Sequence, residues 1–138
     1  MIGIDTNILV RFFAKDEPEQ SRQARDLIRS FTSDDPGFIP LVTIVELVWV
    51  MQGFYRVTKE ETLALLENLL RAREMVVENA HVVWEAVRVY ARSNADFPDC
   101  LIERSAHDAH CTHTVTLDIK AAKTAGMVLL DSQRSHGK

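Results

Sequence analysis

Five carboxylates stand where a packed chain has little use for negative charge. Asp5 ends the apolar opening of MIGIDTNILVR, in which Ile2, Ile4, Ile8, Leu9 and Val10 supply packing. Burying a carboxylate in such a run without a partner is costly. Asp118 closes TVTLD in the same manner, Glu46 lies inside TIVELVWVM, and Asp96 and Asp99 fall on either side of Pro98 in ADFPDC. Asp96 and Asp99 are three residues apart, a spacing that puts both on nearly one face of a helix. Carboxylates at close range repel one another and stay ionised together mainly with a cation between them. Oxygen donors without His or Cys favour Mg2+ or Mn2+ over Zn2+. Each acid also has a plainer use. Glu46 completes a Thr43 capping box, Asp96 and Asp118 are N-cap residues, Asp99 sits in a first helical turn, and Asp5 suits a turn. Their joint placement says more than any one of them.

The elements that must position these acids follow from pattern. Asp5 ends a short buried strand, and Thr6 caps a helix running through Phe13. A second helix spans Glu19 to Phe31, with Ala24, Leu27, Ile28 and Phe31 inward and Arg22, Arg25 and Arg29 forming a basic line elsewhere. Pro36 and Gly37 stop it, and Phe38 to Pro40 is a very short strand. Thr43 with Glu46, and Thr58 with Glu61, have the form of capping boxes, each opening a helix. Leu63, Leu66, Leu69 and Leu70 give the second of these its apolar stripe. Met75 to Val77 is a brief strand. Asn79 caps a helix to about Arg92, with Val82, Val83, Ala86, Val87 and Tyr90 inward. Asp96 starts a helix to about His110, where Pro98 is tolerated in the first turn. THTVTLD is a strand, Ile119 to Ala125 a short helix closed by Gly126, and MVLL a last strand. Strands alternating with helices predict an α/β fold, a Rossmann-like parallel sheet with helices on both faces. In such a sheet ligands sit at the C-terminal strand ends, where Asp5 and Asp118 fall.

A chain of 138 residues suits one domain over residues 1–130 with a polar tail over 131–138. Its formal net charge of −4 argues against holding nucleic acid by bulk charge alone, yet permits an acidic metal pocket beside a local basic patch. No basic segment precedes an apolar region at the start, and no stretch reaches the roughly 18 apolar residues of a membrane span. We therefore expect a cytoplasmic protein with no membrane partner. Cys100 and Cys111 have no metal-ligand spacing and read as unpaired thiols. His107, His110 and His113 are closely spaced, but straddle a helix end without a cysteine to complete a zinc set. His81 and His136 read as surface residues, and Trp49 and Trp84 as packing anchors.

Over nearly its whole length the sequence resembles the PIN-domain ribonucleases, and among them the VapC-type toxins of bacterial toxin–antitoxin pairs. IDTNILVR fits the first motif and puts the first acidic ligand on Asp5, with Thr6 and Asn7 beside it. TIVELVWVM fits the second, with Glu46 as the family glutamate. ADFPDCLI fits the third through Asp99, with Asp96 auxiliary, and TVTLD the fourth through Thr116 and Asp118. The family usually has an aromatic residue where this chain has Leu117, a departure expected to disturb packing more than chemistry. The resemblance implies a Mg2+-dependent (or Mn2+-dependent) endoribonuclease that activates water on a metal held by Asp5, Asp99, Asp118, Glu46 and Asp96. It also implies a homodimer inhibited by a small antitoxin. An apolar excess over Leu63 to Leu70 and Val82 to Val89 agrees with the dimer. Lys120 and Lys123 are candidates for contacts to RNA phosphate.

Two other classes share the acidic theme. A phosphatase with an aspartate nucleophile needs an acid two residues after Asp5, where the chain offers Asn7, which cannot transfer that proton. A receiver-like Mg2+-binding signalling domain needs adjacent acids near the first strand and a late lysine after a strand-ending aspartate, and only scattered parts of that pattern are present.

Overall fold

The computed structural model describes residues 1–130, so the polar tail expected over 131–138 lies outside the described residues. The chain divides into two compact units, the first over residues 1–80 and the second from residue 81.

In the first unit the opening apolar run is shared between a strand and a helix. Strand β1 (Ile2–Gly3) is followed by helix α1 (Thr6–Ala14), so Leu9 and Val10 are buried as helical residues. The strand is less buried than its composition suggests: Ile4 is covered, but Ile2 is 51% exposed. Helix α2 (Pro18–Arg29) begins one residue before the expected start because proline is favoured in a first turn, its missing N–H having no intrahelical partner. It ends two residues before Phe31, which is nonetheless buried. Strand β2 (Gly37–Ile39), helix α3 (Leu41–Gly53), helix α4 (Lys59–Arg71) and strand β3 (Met75–Val77) complete the unit.

The three strands form a parallel sheet in the order β1-β2-β3. Gly37 lies opposite both Ile2 and Met75, and it marks a close approach. A Cβ at Gly37 would stand 2.6 Å from Phe31 Cε2 and 3.0 Å from Ile4 Cδ1. Beyond the strand proper, Ile4 N donates to Phe38 O (2.8 Å) and Glu78 N to Ile39 O (2.9 Å).

Both expected capping boxes can be compared directly. Thr58 caps α4 as read: Glu61 N donates to Thr58 Oγ1 and Thr58 N donates to the Glu61 carboxylate. The Thr43–Glu46 pair does not form one. Helix α3 starts earlier, with Pro40 at the N-cap. Its first free N–H, on Leu41, is satisfied by the carboxylate of Glu78 at 2.7 Å. Thr43 is thereby drawn inside the helix, buried, and donates its hydroxyl to Ile4 O (3.2 Å). Arg11 ties the end of α1 to the end of α3, donating to Asp16 (3.0 Å) and to Tyr55 Oη (3.2 Å), while the Tyr55 hydroxyl donates to Asp16 (2.7 Å).

Helix α5 (Ala80–Arg92) leads into the second unit, which continues with helix α6 (Phe97–Asp108), strand β4 (Val115–Thr116), helix α7 (Ile119–Thr124) and strand β5 (Val128–Leu129). The five residues expected on the inner face of α5 are all buried. Tyr90 and Phe97 meet edge to face with centroids 5.8 Å apart. Arg104–Glu85 (3.5 Å) and His81–Asp108 (3.0 Å) link α5 to α6 at the surface. Strands β4 and β5 are parallel, Val115 opposite Val128 and Thr116 opposite Leu129, and Gly126, at φ +80°, turns the chain between α7 and β5. Both strands are shorter than the runs THTVTLD and MVLL suggested. Leu117 lies in a bend and is 79% exposed, so its departure from an aromatic disturbs no packing here. Among the described residues no helix is long and apolar enough to cross a membrane. Cys100 is buried and Cys111 exposed, and neither is in a disulfide.

Candidate functional site

In the first unit Asp5, not Thr6, is the N-cap of α1, with Asp5 Oδ1 accepting from Thr6 N at 2.7 Å. The expected cap is corrected by one residue, for a simple reason. The extended backbone at Asp5 sets its short side chain over the first free N–H of the helix, and Asp is a preferred N-cap residue. Thr6 is left free to turn its hydroxyl elsewhere, and it donates to Glu46 Oε1. Forty residues of sequence separate these partners; the chain joins them because α1 packs on α3. Asp5, Thr6, Asn7 and Glu46 share the lining of a pocket of about 340 Å3 with Val10, Val50 and Trp49. Trp49 was expected to anchor packing, but is 75% exposed. Position 49 lies three residues from Glu46 and therefore on the same outer face of α3.

The second unit gathers the other three acids. Asp96 is the N-cap of α6 by backbone position, without a capping bond from its side chain, and Pro98 and Asp99 lie in the first turn. Asp118 caps α7, where its Oδ1 accepts from Lys120 N (2.8 Å) and Ala121 N (3.2 Å). Thr116 holds the same residue from behind, its hydroxyl oxygen accepting from Asp118 N (3.0 Å). Partial burial, followed by the charges of Asp96 and then Asp118, raises the Asp99 carboxyl above the ordinary aspartate range. Lys120 opposes this shift. Its ammonium is 3.1 Å from Asp96 Oδ1, so the lysine expected to meet phosphate is held by an acid of the group. Lys123 is exposed.

The charges of Asp96 and Asp118 thus both act on Asp99. Among the described residues, no three acid, His or Cys side chains already converge tightly enough to hold an ion. The donor set still suits a hard divalent cation. It is made of carboxylate oxygens, and like charge already works against ionisation of Asp99, a penalty a cation would relieve.

A model of the PIN domain matches residues 2–127. The chain belongs to the PIN domain family. The match takes in all five acids, and the parallel strands flanked by helices agree with it. The chain is also similar to a protein named VapC ribonuclease from Aquifex aeolicus (strain VF5), at 24% identity over 98 residues, covering 71% of this chain and 73% of the relative. The resemblance drawn from the four acidic motifs is therefore borne out at the level of the family.

Sequence reading missed three features of this PIN domain. The Thr6–Glu46 bond and the Arg11–Asp16–Tyr55 cluster join residues far apart in the chain, and no local pattern signals them. The Lys120–Asp96 pair had a hint in composition, a lysine two residues after a strand-ending aspartate, but not in direction.

Proposed function

We propose that this PIN domain is a divalent-metal-dependent endoribonuclease, and that it acts as the toxin of a toxin–antitoxin pair. The observation carrying the reading is the PIN match over residues 2–127, which spans Asp5, Glu46, Asp96, Asp99 and Asp118, together with the likeness to a VapC ribonuclease. In this reading Asp5, Asp99 and Asp118 would hold the ion, with Glu46 and Asp96 as auxiliary acids. Mg2+ fits the oxygen donors, and Mn2+ would serve in its place. When bound, such an ion would supply a water of lowered pKa and a counter-charge for the phosphoryl oxygens.

The protein's own groups orient the acids. Thr6 N fixes one oxygen of Asp5, and the Thr6 hydroxyl fixes one oxygen of Glu46. Thr116 and the first N–H groups of α7 fix Asp118. Lys120 and Lys123 are the candidates for phosphate contact, Lys120 after leaving Asp96. Cleavage of this kind leaves a 5′-phosphate and a 3′-hydroxyl, with no role for the ribose 2′-OH as nucleophile.

The test is to map RNA ends after brief induction of the wild type and of Asp5→Asn, and to repeat cleavage in vitro with Mg2+, Mn2+ or chelator. Full cleavage by Asp5→Asn in metal-replete buffer would overturn the mechanism. The expected assembly is a homodimer bound by a small antitoxin. Sedimentation of the purified chain tests the dimer, and co-purification from the native operon tests the antitoxin. Within the stretches Leu63 to Leu70 and Val82 to Val89, most apolar side chains are buried within one copy, while Leu63, Leu70 and Val89 are half-buried and remain open to a partner. Phosphotransfer from a small phosphodonor would instead favour the receiver-like alternative.

A further inference from the structure

We infer that Trp49 is a substrate-positioning residue, its indole stacking on an unpaired base of the RNA beside Asp5 and Glu46; the inference rests on the ribonuclease reading above. The first observation is that α3 does not need this side chain for its own packing. Thr43, Ile44, Leu47, Val48 and Met51 are the buried residues of the helix, whereas Trp49 is 75% exposed. The second is its place. Trp49 lines one pocket with Asp5, Thr6, Asn7 and Glu46, and Val10 and Val50 complete the walls. A flat group resting on the indole therefore lies next to the carboxylates assigned to the metal.

The third observation is charge. A chain of net charge −4 draws a polyanion weakly from bulk solution, and Asp5 and Glu46 repel phosphate until a cation lies between them. Attraction that does not depend on charge has to come from another source. Base–aromatic stacking supplies it, and it tolerates any sequence because every base has a π face. A second copy of the chain or a protein partner seated on the same face would also cover Glu46. Such a partner would have to bring a cation of its own to offset the desolvated carboxylate. An RNA base leaves Glu46 to the cation.

The experiment is a cycle between protein and RNA. Cleavage of a short oligoribonucleotide that the wild type cuts is compared with cleavage of the same strand made abasic at each nucleotide flanking the cut. Trp49→Ala should lower kcat/KM about tenfold to a hundredfold, the size of one stacked base. One abasic position should lower wild-type cleavage to a similar degree, and the two changes together should cost little more than either alone. Trp49→Phe should recover most of the activity, and Trp49→Leu, which keeps apolar bulk without a strong π face, should not. Thermal melts of all variants should match the wild type, as expected at an exposed position.

Cleavage by Trp49→Ala within about twofold of the wild type, or losses that simply multiply at every abasic position, would overturn the inference while leaving the ribonuclease reading intact. Conversion of a wild-type dimer to a monomer by Trp49→Ala would also overturn it, assigning the indole to a contact between copies. A wild type that cuts no RNA with either metal would overturn the ribonuclease reading, and this inference with it.

Discussion

At the scale of single residues, the acids differ in what else they do, and substitutions should separate those duties. Asp5 holds Thr6 N through one carboxylate oxygen, so Asp5→Asn keeps an acceptor for the cap while removing the charge. We expect Asp5→Asn to melt close to the wild type and to cleave no RNA. Asp5→Ala should lose cleavage as well, together with about 1 kcal/mol of stability for the missing cap. Melts of the two variants beside a cleavage assay check both statements. Asp99 has the opposite balance. Burial, Asp96 and Asp118 raise its pKa in the folded state, so the folded protein binds that proton more tightly than the unfolded chain. The resulting stabilisation is present in full below the unfolded pKa and is lost as pH rises through the folded one. Without metal, Asp99→Asn should therefore melt higher than the wild type at neutral pH, and the difference should vanish in acid. With Mg2+ the order should reverse if Asp99 is a ligand as proposed, because the variant then gains less from binding. Melting curves across pH, with metal and with chelator, would expose an error in either sign.

Among the elements, helices α3 and α4 show what was legible in the sequence and what was not. Both begin with the same spelling, a threonine followed three residues later by a glutamate. In α4 the spelling is the structure, since both reciprocal bonds are present. Thr58→Ala should lower stability by about 1 kcal/mol and leave cleavage unchanged, a result that melts and a cleavage assay would register together. In α3 the helix starts at Leu41, because Glu78 supplies the acceptor that Pro40 lacks. That acceptor is 37 residues away in sequence, beyond the reach of any local rule. The displacement frees Glu46 from capping and leaves it exposed in the pocket with Asp5. The inner face of α5 was readable because its apolar period is unbroken. The ends of β4 and β5 were not, because apolar residues in a short run do not reveal how many of them find a partner.

For the molecule as a whole, the family was legible before the surroundings of the five acids were. The motifs pointed to Asp5, Glu46, Asp96, Asp99 and Asp118 and to the PIN family, and residues 2–127 bear out that family. The partners of those acids, Thr6 for Glu46 and Lys120 for Asp96, arise from packing and were not visible in the sequence. The same holds for exposure. Apolar runs in α4 and α5 suggested a surface in need of covering, yet the large apolar side chains open to solvent in the first unit include Val42, Trp49 and Phe54.

The tight approach at Gly37 has a practical consequence if the chain is the toxin proposed above. A methyl group there must displace the Phe31 ring or Ile4. Phe31 borders a pocket of about 500 Å3, which gives the ring room to yield in part. Gly37→Ala should therefore weaken the fold by about 1–3 kcal/mol without abolishing it, lowering the melting temperature by several degrees per kcal/mol. The five acids keep their identity, so cleavage in the cold should persist. Such a variant is a thermal switch: cells carrying it should arrest at low temperature and recover on warming, as the nuclease unfolds. Colony counts across a temperature series, set against melts of the purified variant, would show whether growth follows the fold.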